Sequence, residues 1–82
     1  DTALTQEIEK LVTQSPEVVG VIQTITVQQG PGEILVAMKL HFKSELSVDQ
    51  TVVLINEIEV RLRAVRPELK WVFIEPDHPA SA

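Results

Sequence analysis

The feature that most constrains the fold is a helix that runs directly into a strand, with a signal at each boundary. Leu46-Ser47-Val48-Asp49-Gln50 opens the helix. Ser47 is its N-cap, and Gln50, three residues on, completes a Ser-x-x-Gln capping box. Pro67 closes the helix, because proline neither donates a backbone hydrogen bond nor tolerates the preceding helical turn. A short apolar run, Lys70 to Glu75, then reads as a strand stopped by Pro76. A helix feeding a strand is a crossover, so an earlier strand must lie beside the later one and run parallel to it.

Two earlier segments fit that requirement. Val18 to Gln29 is rich in β-branched residues, which strands favour. Alternation puts Val19, Val21, Ile25 and Val27 on one face and Ile22, Thr24, Thr26 and Gln28 on the other. Gly30-Pro31-Gly32 is a turn, and Glu33 to Phe42 follows as the hairpin partner. There Ile34, Val36, Met38, Leu40 and Phe42 alternate with Leu35, Ala37, Lys39 and His41. Ahead of the hairpin, Leu4, Ile8, Leu11 and Val12 share one face of a helix capped by Thr2 or Thr5 and ended by Ser15-Pro16. In the later helix, Val48, Val52, Ile55, Ile58, Leu62 and Val65 form the expected buried stripe, with Glu57–Arg61 and Glu59–Arg63 as ion pairs one turn apart.

The element order is therefore αββαβ. The expected fold class is α+β: a three-stranded mixed sheet with both helices on one face, since a small sheet needs one covered side. Residues 1–77 form one domain and residues 78–82 a disordered tail. With Val72 and Ile74 turned toward the core, Trp71 and Phe73 join Leu35, Ala37 and Ile22 on the uncovered face. Such an apolar patch marks a contact surface.

Composition narrows the function classes. The 82 residues carry 12 acidic and 7 basic side chains, a net charge of −5, with no basic run. Nucleic-acid binding and attraction to anionic lipid both need clustered lysine and arginine, which this chain lacks. No cysteine is present, so disulfides and thiolate metal sites are excluded. No apolar run approaches the ~20 residues of a bilayer span, so direct membrane insertion by this chain is not expected. Gly30-Pro31-Gly32 has no following Lys-Ser/Thr and no helix after it, so it is no phosphate loop. With two histidines and no cysteine, no nucleophilic set is evident, and the chain does not read as an enzyme. It begins at Asp1 without methionine and ends in Pro79-Ala80-Ser81-Ala82, which reads as a piece of a longer protein.

The Pro16-Glu17-Val18-Val19-Gly20-Val21 lead-in, the Leu46-Ser47-x-x-Gln50 helix start and the Pro67-Glu68-Leu69 to Ile74-Glu75-Pro76 ending stand in an order and spacing that resemble one family. It is the cytoplasmic C-terminal domain of cation diffusion facilitator transporters, and the resemblance runs from about Leu4 to Asp77. It implies a ferredoxin-like, metallochaperone-like fold. It further implies a homodimer on the cytoplasmic side of a membrane, attached to its own transmembrane domain. In that family the membrane part exchanges divalent metal cations for protons, and regulatory metal binds between protomers in many members.

The family's usual ligands are mostly replaced. Where members often have His-x-Glu-Pro, this chain has Phe73-Ile74-Glu75-Pro76. Where many have a histidine after Gly-Val, Gly20-Val21 leads into Ile22-Gln23, and where many have Glu-Ala-His, the chain has Gln50-Thr51-Val52. Only Glu75 remains. Three residues are weak metal candidates: Glu75, His41 with Glu45 and Asp49 near it in sequence, and His78 beside Asp77. A divalent cation such as zinc is thus expected to bind weakly at most. The patch of Trp71, Phe73, Leu35, Ala37 and Ile22 is the expected dimer interface. A ferredoxin-like small-molecule sensor and a pure interaction module are the alternatives; sensors of that type begin with a strand, whereas this chain begins with a helix.

Overall fold

The capping box closes as its spacing predicts. The Ser47 hydroxyl accepts from the Gln50 backbone N–H at 3.0 Å, and the Gln50 side chain accepts from the Ser47 N–H at 2.8 Å. In the computed structural model, which describes residues 2–80, the elements are α1 (Thr2–Val12), β1 (Val18–Gly30), β2 (Glu33–Phe42), α2 (Val48–Val65) and β3 (Leu69–Pro76). The sheet order is β1-β2-β3, with β1 antiparallel and β3 parallel to β2. This is the α+β arrangement that the crossover demands. Gly32 makes the hairpin turn at φ +67°, a conformation that costs other residues a steric clash.

One side of the sheet carries the core. Val36, Met38, Leu40 and Phe42 of β2 pack with Val18 of β1, with Leu69 and Val72 of β3, and with Leu4, Ile8 and Val12 of α1 and Leu54, Ile58 and Leu62 of α2. Each such apolar side chain, fully buried, contributes ~1.5–3 kcal/mol relative to exposure. Both helices therefore lie on the same face.

The helix stripe differs from the one expected. In α2 the buried positions are Leu54, Ile58 and Leu62, with Ile55 half-buried against them. Val48, Val52 and Val65 are exposed. Valines lie on several sides of this helix, so periodicity alone admits two stripes, and the sheet selects the one built on the larger leucines and isoleucine. The expected Glu57–Arg61 and Glu59–Arg63 pairs do not form among the described residues. Arg61 instead reaches across to the end of α1, where its Nη1 donates to the Leu11 carbonyl at 3.0 Å and to Ser15 Oγ at 2.9 Å. That contact satisfies Ser15, the buried polar residue at the α1–β1 corner. Regular α1 stops at Val12, three residues before Ser15.

Arg66 ties the far end together. Its backbone N–H caps α2 on the Leu62 carbonyl at 2.8 Å. Its guanidinium binds the Glu7 carboxylate of α1 and, at 3.1 Å, Glu68 just before β3. Standing before Pro67, Arg66 leaves the helical region, as a pre-proline residue does (φ −130°, ψ 86°).

Strand β1 breaks the simple alternation. Its register with β2 shifts between Val18 and Gly20, between Val21 and Gln23, and between Gln28 and Gly30. Each shift inserts an unpaired residue and flips the faces after it. Val18 and Val21 point to the core, opposite Phe42 and Leu40. Beyond the second shift the core side passes to Thr24 and Thr26, opposite Met38 and Val36. The Thr24 hydroxyl confirms its side by donating to Glu9 of α1 at 2.8 Å. The expected grouping of Val21 with Ile25 and Val27 is therefore split.

Candidate functional site

The uncovered face is built in rows by strand register. Val27, Leu35 and Trp71 stand side by side across the three strands, and so do Ile25, Ala37 and Phe73. Trp71 is 41% exposed and Phe73 58%, with Ile25 at 46% and Val27 at 42%. None lies beneath a helix of its own chain. Ala37 is small, and the space over it forms part of a depression of about 340 Å³ bordered by Ile25, Phe73, Gln23, Lys39 and Glu75.

Of the residues expected on this face, Trp71, Phe73, Leu35 and Ala37 sit together on it. Ile22 does not join their rows. It occupies the bulge between Val21 and Gln23, half-buried and without a cross-strand partner. Ile25 and Val27 take the β1 places instead. Simple alternation cannot find them, because the bulge that turns them outward has no residue signature in this stretch.

A polar row follows the apolar ones: Gln23, Lys39 and Glu75. Lys39 Nζ lies 4.0 Å from the Glu75 carboxylate and 3.7 Å from that of Asp77. These pairs are solvent-exposed, and each is worth at most ~1 kcal/mol. Their effect is on charge placement: an ammonium already stands beside Glu75. Lys39 is thus a residue of the site that sequence reading overlooked.

The two histidines come together at the end of the same face. Their ring centroids are 5.9 Å apart at an interplanar angle of 66°. The Asp77 backbone N–H donates to the Leu40 carbonyl at 2.9 Å, and the His78 N–H to Asp77 Oδ1 at 2.8 Å, so the segment after β3 is held against β2. The expected neighbours of His41 are engaged elsewhere: Glu45 accepts from the Ser44 hydroxyl, and Asp49 stands in the first turn of α2. Among the described residues, no group of three or more His, Cys, Asp or Glu side chains converges as a metal site. No described helix is long and apolar enough to cross a membrane.

The fold matches solved structures over nearly its whole length. A nickel form of a MamM C-terminal domain variant superposes with a TM-score of 0.86 at 16% identity, covering 98% of this chain and 100% of the other. A copper form gives 0.84 at 17% identity over 93% and 94%, and a cadmium form 0.84 at 17% over 95% and 96%. MamM is a cation diffusion facilitator, so the resemblance read from the motifs is met by the fold. No family model matches this chain. No curated protein matches it either.

Proposed function

We propose that this chain is the cytoplasmic dimerisation domain of a cation diffusion facilitator transporter, an integral membrane protein that moves divalent metal cations in exchange for protons. The observation that carries this reading is the combination of a fold match over nearly the whole chain with an uncovered apolar sheet face. Two copies meet through Trp71, Phe73, Leu35 and Ala37, with Ile25 and Val27 extending the contact and Ile22 at its margin. Aromatic residues are enriched at the centres of such interfaces.

In this reading the domain joins its own transmembrane part and has no catalytic role. The apolar side chains at the family's ligand positions make packing, not a shared ion, the main link between protomers. Phe73 stands where members of the family often have histidine, and Lys39 lies 4.0 Å from Glu75. Any metal that does bind regulates transport only through different affinity for two arrangements of the pair.

The test is sedimentation of the isolated domain at micromolar concentration, read beside Trp71 fluorescence on dilution. A dimer whose Trp71 emission shifts as it dissociates is the expected result. A monomer with unchanged emission would refute the interface. The sequence ahead of Asp1 gives a separate test: several apolar spans of ~20 residues go with a transporter, while a strand or a catalytic domain goes against it.

A further inference from the structure

We infer that His41 and His78 form a chelating pair for a borderline divalent cation, Ni²⁺, Cu²⁺ or Zn²⁺, at the end of the uncovered sheet face. The pairing is created by the fold. In sequence the two are far apart, His41 within β2 and His78 just past β3. Parallel pairing ends at Leu40 and Pro76, and the Asp77 N–H to Leu40 carbonyl bond extends the ladder one step. That step sets the His78 ring edge-on to His41, with centroids 5.9 Å apart.

The distance suits one ion. Imidazole nitrogens bind such cations at ~2.0–2.1 Å, so two nitrogens on one ion lie no more than about 4.2 Å apart. Ring centroids 5.9 Å apart are compatible with one nitrogen of each ring converging on a single ion. Space is available as well: Gly20 stands opposite His41 in the register, and nothing lies within 4 Å of where its Cβ would be.

The surroundings select the type of ion. Lys39 holds the Asp77 carboxylate at 3.7 Å, and Lys43 borders the same small depression as His78. Hard cations such as Mg²⁺ and Ca²⁺ prefer oxygen donors. Imidazole suits Ni²⁺, Cu²⁺ and Zn²⁺. Two protein ligands leave the remaining coordination positions to water, so affinity is modest. The site stands apart from the apolar rows of the proposed dimer contact, and it does not depend on that contact.

The experiment uses the tag-free 82-residue chain. Calorimetric titration with NiCl₂ and ZnCl₂ is run beside ¹H–¹⁵N spectra of the histidine rings, with MgCl₂ as the hard-ion control. One ion per chain is expected, with both rings responding over the same concentration range. His41→Asn and His78→Ala should each weaken binding at least ~10-fold, and the double variant little further, because the pair acts as a unit. His78 is exposed, so its replacement leaves the fold intact; backbone spectra check the same for His41→Asn. The inference is overturned if the rings respond independently, if the single variants bind as the parent does, or if Mg²⁺ competes equally. Chelation by a chain that sediments as a monomer would sustain this site and refute the dimer reading separately.

Discussion

Replacing Phe73 with glutamate separates the two surfaces of β3. Phe73 is 58% exposed. A buried phenylalanine removes ~200 Å² from water, so about 120 Å² of this one remains open, worth ~3 kcal/mol at ~25 cal/mol per Å². A two-fold contact uses the residue twice, giving about 6 kcal/mol before the costs of association and side-chain ordering. Phe73→Glu removes that gain and adds a carboxylate to the strand face that already carries Glu75. The dimer dissociation constant should rise at least ~100-fold, about 2.7 kcal/mol. The folded monomer should hardly notice, because the ring does not belong to its own core; a change within ~0.5 kcal/mol is expected, as for other surface positions. Sedimentation equilibrium measures the first quantity. Urea unfolding measures the second, at concentrations low enough that association adds no apparent stability. An unchanged dissociation constant would refute the interface. A monomer destabilised by more than ~2 kcal/mol would refute the face assignment, because only loss of core packing explains a change that large.

Other expected outcomes follow from the contacts that join the elements. Arg61→Met strands the Ser15 hydroxyl and the Leu11 carbonyl and should cost ~2–3 kcal/mol in urea unfolding, even though no ion pair is lost. Ser47→Ala opens the capping box and should cost ~1 kcal/mol, or about 4–8 °C in thermal midpoint for a domain of this size. Glu68 has its carboxyl held below the usual carboxylate range, first by its own backbone N–H and then by Arg66. Its folded form therefore binds fewer protons than its unfolded form. The stabilisation is fully present above the unfolded value of ~4.3 and is lost as pH falls through the lower folded value. Glu68→Gln should accordingly flatten the acid limb of a stability–pH curve measured by urea unfolding and leave the curve's shape near neutral pH unchanged.

The punctuation in the sequence was easy to read because it acts locally. Ser47 and Gln50 satisfy each other's backbone groups within one turn, Pro67 and Pro76 bound their elements, and Gly32 supplies the positive φ of the hairpin. Strand β2 was legible for another reason. It is central and pairs without bulges against β3 after Leu35, so period-2 counting holds along most of its length. The failures lie where the outcome is decided at a distance. Which stripe of α2 is buried depends on the sheet beneath it, and Arg61 chooses the Leu11 carbonyl of α1 and the Ser15 hydroxyl beyond that helix over a glutamate on its own. The faces of β1 depend on bulges that nothing in Val21-Ile22-Gln23 announces. For the site, β3 alternation placed Trp71 and Phe73, but the meeting of His41 with His78 and of Lys39 with Glu75 needs the parallel register, which only the folded crossover supplies.

The irregular pairing of β1 also bears on self-association of an unwanted kind. A strand with one free side offers unpaired amide and carbonyl groups to any extended chain nearby, and a straight thirteen-residue strand would be an inviting seed for fibre growth. Three kinks along its length spoil the even spacing that a newcomer must match. The outer strand on the other side is short and ends in proline, which cannot donate. Both rims are thus poor templates for an added strand.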